Sequence, residues 1–233
     1  MSENERAVTT PVRVAFTKTG ALSFISHLDL MRTVTRMLIR ADIGIYYTEG
    51  FNPHPKLVFA LPLSVGVEST YELFDVKILG ESADYALIAE RLRRESPNDI
   101  KIIDAYAPTR KFRDIAYSDY DIIIRGSGGV GDPVAAIEKM MSGPIIETKR
   151  TKSGEVDSDI RPFIAALECE GDRSELHIKT RLAAASESYL NPEYVVKAVT
   201  KATGITLDNI APGGDTYEIT RTGIYDTDGN VFR

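Results

Sequence analysis

The chain has 233 residues, 43% of them hydrophobic, enough for one large domain or two small ones with an ordinary core. Its formal net charge of −6 excludes a protein that holds nucleic acid by bulk charge, so any such contact has to come from a local patch. The single cysteine, Cys169, excludes an internal disulfide framework, and an iron–sulfur cluster or Cys-based zinc site supplied by this chain alone; it reads as a strand residue of the core. No apolar run approaches the roughly 18 residues of a membrane span. The start, "MSENERAVTTPVRV", lacks a signal-peptide core, and the cytoplasm is the expected compartment.

"VRVAFTKTG" (12–20) alternates Val12, Val14 and Phe16, the pattern of a half-buried strand. Ser26 follows as a helix N-cap with Asp29 three residues on, and Leu30, Met31, Val34, Met37, Leu38 and Ala41 share one face of the helix. Residues 43–49, 56–70 and 71–79 read as strands or extended segments, 82–96 as a helix and 100–108 as a strand. The order is β-α-β-β-α-β.

After a charged bridge (109–114) the order returns. Residues 117–126 read as a strand, Asp132-Pro133 opens a helix, and 144–151 runs to a turn at Ser153-Gly154. Residues 161–170 and 174–182 form a hairpin around Gly171-Asp172, 191–204 a helix ending at Gly204, and 215–225 the last strand. The expectation is an α+β protein of two tandem ferredoxin-like units, 11–108 and 115–233, the second with an inserted hairpin. Charge divides unevenly: residues 1–110 hold 13 Lys/Arg against 14 Asp/Glu, and residues 111–233 hold 15 against 20. A basic patch is therefore sought in the first half.

Two features there carry chemistry. Arg32, Arg36 and Arg40 recur at four-residue steps on one helix stripe, with Asp29 a turn before Arg32. They suit either a solvated face or a phosphate-binding stripe. "TEGFNPHPKLVFALP" (48–62) holds His54 between two prolines directly after Phe51-Asn52-Pro53. Such a loop is stiffer than turning requires. With Tyr46, Tyr47, Phe51 and Lys56 it offers aromatic faces beside basic groups, on which unpaired bases stack. Alternatively it is a rigid loop whose histidine bonds to backbone. His27, Asp29 and His54 lack the spacing of a helix-borne metal motif. His27 and His54 could also serve as acid and base for metal-free RNA cleavage.

In the second half, "RGSGGVGDP" (125–133) lacks the Lys and Ser/Thr of a phosphate loop and reads as flexible. Asp159 beside Arg161-Pro162 suggests a strand bent at the proline with the arginine aimed outward. His177 alternates with Leu176 and Ile178, as a histidine on a sheet surface does. No nucleophile constellation appears.

"FISHLDLMRTVTRMLIRADIGIYYTEGFNPHPKLVFALPLSVGVES" (24–69), with "DIRPFI" (159–164), "NPEYVVKAV" (191–199) and "RTGIY" (221–225), resembles the radical SAM-linked, or radical SAM-associated, bacterial family, a domain of unknown function fused to or encoded beside radical SAM enzymes. The resemblance implies a radical SAM enzyme as partner. With one cysteine this chain corresponds to the separate form: it binds no cofactor, and the partner carries the iron–sulfur cluster and S-adenosylmethionine. The expected function is a non-catalytic accessory subunit presenting substrate, a structured RNA, on His27, Asp29, Arg32, Arg36, Arg40, Phe51, Asn52, His54 and Lys56, with Asp159 and Arg161 as further contacts. A metal-independent endoribonuclease and a pure protein-interaction scaffold are the alternatives.

Overall fold

Alternation of apolar and polar side chains builds the first strand, β1 (Thr9–Lys18), and the capped amphipathic pattern builds the first helix, α1 (His27–Arg40). The computed structural model describes residues 7–151, 154–207 and 217–233. The fold is α+β, with antiparallel strand pairing and four α-helices among the described residues. No helix is long and apolar enough to cross a membrane. The chain divides into two units, Met1–Phe112 with Phe232–Arg233, and Arg113–Val231.

The first unit continues with β2 (Leu57–Phe59), β3 (Glu68–Leu79), α2 (Tyr85–Glu95) and β4 (Ile102–Tyr106). Its strands lie in the order β4-β1-β3-β2, every neighbour antiparallel. Val12, Val14 and Phe16 of β1 and Phe74, Val76 and Ile78 of β3 meet Leu30, Val34, Met37 and Leu38 of α1 and Ile88 and Leu92 of α2 in one core. On the other face Arg13 is fully buried: it is bidentate to Asp75 at 2.7 and 2.8 Å, donates to the Arg110 carbonyl, and has the Phe112 ring 4.3 Å and the Phe232 ring 5.2 Å away.

The expected strand over 56–70 breaks after Phe59, and β3 begins at Glu68 instead. Pro62 has no N–H for a ladder. Beyond it Val67 donates to the Ser64 carbonyl and Gly66 takes φ +88°, a turn that only glycine adopts freely.

The second unit comprises β5 (Tyr117–Arg125), β6 (Ser127–Gly128), α3 (Pro133–Met141), β7 (Ile146–Thr151), β8 (Gly154–Asp159), β9 (Ile164–Gly171), β10 (Glu175–Ala183), α4 (Glu193–Thr203), β11 (Ile205–Thr206) and β12 (Tyr217–Tyr225). Its main strands lie in the order β12-β5-β10-β9, again antiparallel throughout. β7 and β8 form the inserted hairpin, and β6 pairs with β11. Asp132 caps α3 and Gly204, at φ +68°, ends α4, as read from the sequence. Ser153, placed in the expected turn, lies outside the described residues. Cys169 is half-buried on edge strand β9, not in the core, and burial pushes its thiol pKa up, with Glu138 and Asp132 adding to the shift.

Candidate binding site on the first unit

The proline-rich stretch is an excursion from the edge of the sheet. Ile45 bridges Ile78, and Leu57 pairs with Val76. The eleven residues between Ile45 and Leu57 therefore advance the pairing by only two positions along β3. The neck is closed by hydrogen bonds from Lys56 N–H to the Tyr46 carbonyl (3.2 Å) and from Thr48 N–H to the His54 carbonyl (2.9 Å), with Tyr47 bridging Pro55. Gly50, at φ +127°, turns the tip and leaves Phe51 completely exposed.

His54 is exposed but fixed. Its N–H donates to Thr48 Oγ1 at 3.2 Å, and Nδ1 lies 3.1 Å from both Thr48 Oγ1 and the Asn52 carbonyl. A carbonyl only accepts, so this geometry puts the proton on Nδ1 and, in the neutral ring, the lone pair on Nε2. The backbone-bonded histidine, one of the two sequence readings, is the arrangement found, in a side chain that is exposed.

On α1 the three arginines fare differently. Ser26 Oγ accepts the Asp29 N–H at 3.2 Å and donates to the Asp29 carboxylate at 2.7 Å, while Arg32 pairs with Asp29 at 3.0 Å. The Ser26 hydroxyl, and after it Arg32, hold the Asp29 carboxyl below its ordinary value. Arg40 reaches α2, bonding the Glu95 carboxylate at 3.1 Å and its carbonyl at 2.6 Å. Arg36 is exposed and has no hydrogen bond or ion pair among the described residues. The stripe exists in sequence, but only its middle guanidinium is uncommitted.

His27, the first residue of α1, meets the Phe59 ring edge-on at 5.2 Å. No hydrogen bond or ring contact joins it to His54 among the described residues. It lines a narrow crevice with Ser26, Leu61, Pro62, Lys18 and Glu72. Lys18 and Glu72 are only 2% exposed, and Lys18 Nζ donates to the Ser23 carbonyl at 3.2 Å. Buried charge is costly and persists where neighbouring groups compensate it. The sequence reasoning passed over both residues. Alternation could have found them, since Lys18 continues the inward series Val12, Val14, Phe16, and Glu72 precedes Phe74, Val76, Ile78 on the same face. Around the crevice Phe24, Leu28 and Val65 are 60, 53 and 59% exposed.

Asp159 and Arg161 belong to the second unit and serve its own backbone. Asp159 accepts from the N–H groups of Ile145 and Arg161, and Arg161 donates to the carbonyls of Met141 and Ile164. The arginine expected to aim outward is turned inward because the end of α3 leaves a carbonyl for it to bond. His177 lies on the sheet surface as expected, Nε2 2.8 Å from Glu175.

The family profile described as "Uncharacterized protein conserved in bacteria (DUF2344)" matches residues 12–192, more than half of the chain. The chain belongs to the DUF2344 family. The match takes in β1 from Val12 onward, α1, the everted loop and the crevice residues of the DUF2344 chain. No curated protein matches it. Among solved structures, it is similar to a chain of a Cbf5-Nop10-Gar1 complex at 10% identity and TM-score 0.47, over 91% of this chain and 48% of that one, so it spans about half of that chain's length. A protein of Galdieria sulphuraria is similar at 13% identity and TM-score 0.26 (92% and 99% covered), and DyPB of Rhodococcus jostii RHA1 at 8% and 0.22 (84% and 84%). Likeness at these values carries no argument about fold or function.

Proposed function

We propose that this chain is a binding subunit that presents a structured RNA to a radical SAM enzyme, reading the RNA with the loop 47–55 and with Arg36. The observation that carries the proposal is the loop itself: a neck of backbone hydrogen bonds holds Phe51, Asn52 and His54 outside the sheet in one geometry. Holding them beforehand removes ordering cost from binding. An exposed aromatic beside amide, imidazole and cationic groups suits an unpaired base and its phosphate. The side chains of Arg36 and the exposed Lys56 have no hydrogen-bond or ion-pair partner among the described residues and supply the charge.

The strand order last-first-third-second in both units supports reading the chain as two tandem ferredoxin-like domains. On both outward sheet faces aromatic rings already carry an arginine, Phe112 and Phe232 on Arg13 and Tyr225 on Arg181. The outward face of β1 and β3 is occupied by Arg13 under Phe112 and Phe232, and that of β5, β9 and β10 carries Asp119, Asp121, Glu168 and Glu175 among its cations. The exposed apolar group Phe24, Leu28 and Val65 favours protein, and here the radical SAM enzyme would dock; the link to that enzyme rests on the family resemblance of the motifs at 24–69.

RNA binding by the whole chain across a salt series tests the reading, with wild type beside Phe51→Ala and Arg36→Glu. Salt-steep binding weakened in both variants supports it. Absence of binding by wild type at low salt overturns the RNA part and leaves the scaffold. Cleaved RNA with wild type, absent in His54→Ala, would establish the endoribonuclease instead.

A further inference from the structure

We infer that the cleft between α3 and α4 in the second unit is a docking groove for an acidic amphipathic helix of a partner protein. The cleft has a volume of about 540 Å³, and its apolar wall is formed by Ala136 and Met140 of α3 and Ala198 and Ala202 of α4, closed by Ile145. Alanines at these places keep the wall low, so another helix can approach closely; interaxial distances fall with the size of the side chains in contact.

Charge names the occupant. Lys139 of α3 and Lys201 of α4 line the same cleft, both are exposed, and neither ammonium group has a partner among the described residues. The two helices contribute the same triplet: an alanine three residues before the lysine, and Met140 or Ala202 one residue after it. Each lysine lies in the last turn of its helix, where a cation is favoured by the helix dipole in any case. The dipole does not require that both border one apolar trough. Cation, apolar floor and cation across the groove are complemented by carboxylate, apolar stripe and carboxylate on a helix. Glu147, also in the lining, would repel a carboxylate beside it and so fix the direction of the guest. Nucleic acid is disfavoured because the wall has no aromatic ring. A small amphiphile is disfavoured because Ile146, 46% exposed, and exposed Ala202 leave the trough open along its side.

The probe is a labelled synthetic helix of about four turns, with an Ala/Leu stripe flanked by Glu. It is titrated into the full chain by fluorescence anisotropy beside its Lys-for-Glu counterpart and sodium decanoate. The expected result is saturable binding of the Glu peptide alone, weakened roughly ten-fold or more by Lys139→Glu/Lys201→Glu. Ala202→Trp, which fills the trough, abolishes binding while leaving the circular dichroism spectrum unchanged, and the charge-reversed variant gains affinity for the Lys peptide. No saturable binding of the Glu peptide, equal binding of both peptides, undiminished binding by Ala202→Trp, or binding of decanoate alone each overturns the proposal. RNA binding through Phe51 and Arg36 is a separate readout, so failure here leaves that reading standing.

Discussion

Both units carry a bidentate arginine–aspartate pair between directly opposed strand positions, and the partners are exchanged. In the first unit the arginine is on the first strand and the aspartate on the third, Arg13 and Asp75; in the second the aspartate is on the first and the arginine on the third, Asp119 and Arg181. The geometry is the same, 2.7 and 2.8 Å in each, with an aromatic ring 4.3 Å from each guanidinium. Environment differs at the arginine alone: the Arg13 side chain is fully buried and that of Arg181 is 33% exposed, while the aspartates are alike, Asp75 29% and Asp119 25% exposed. The same chemical pair thus has a covered guanidinium in one unit and a partly solvated one in the other. What separates them is cover, which for Arg13 comes from residues far along the chain, Phe112 and Phe232.

The largest expected effect tests that contrast. Arg13→Met removes a fully buried guanidinium with its three hydrogen bonds and leaves Asp75, 29% exposed, without its partner, and should cost about 2–3 kcal/mol, whereas Arg181→Met at its partly solvated site should cost about 1 kcal/mol. Urea unfolding of the full-length variants measures both, and equal losses would show that cover does not decide the role. Next is Phe51→Ala, expected to weaken RNA binding by about 1–3 kcal/mol with no shift in the urea midpoint. A lowered midpoint would mean that the ring supports the fold.

Arg36 and Arg40 sharpen the comparison within a single helix. Arg40→Ala removes two hydrogen bonds to Glu95 at a site about half exposed and should cost about 0.5 kcal/mol of stability. Arg36→Ala should leave stability unchanged and lower the salt slope of RNA binding by about one. The opposite assignment, with Arg40 setting the slope, would return the stripe to the function first read from its spacing.

The smallest effect is at Asp29. Its carboxyl is held below the ordinary 3.8 by Ser26 and Arg32, so the stability it adds is fully present above that pH and is lost as pH falls through the lower folded value. The difference between wild type and Asp29→Asn should be flat near neutrality and vanish in strong acid. A difference that grows on acidification would reverse the sign of the argument.

Local rules made much of this legible. The Ser26, Asp132 and Gly204 boundaries follow from capping chemistry, and the paired strands from alternation. The everted loop was legible only as stiffness, because its closure depends on Lys77 and Ile78 of another strand. Arg40 and Arg161 looked available because their acceptors, Glu95 and the Met141 carbonyl, lie 55 and 20 residues away in sequence. Lys18 and Glu72, each 2% exposed, were legible only by parity with the apolar residues of their strands, because charge alone gives no sign of burial.

The neck beneath Phe51 separates the history of the loop from that of the sheet. Since Lys56 hydrogen-bonds to Tyr46, the strand resumes almost where it left off, and residues can be gained or lost at the tip without shifting a partner on β3. Such a segment is structurally separable from the strand that carries it. Relatives are free to differ in its length and chemistry while keeping one scaffold, and grafting 47–55 onto another edge strand would carry its neck hydrogen bonds with it.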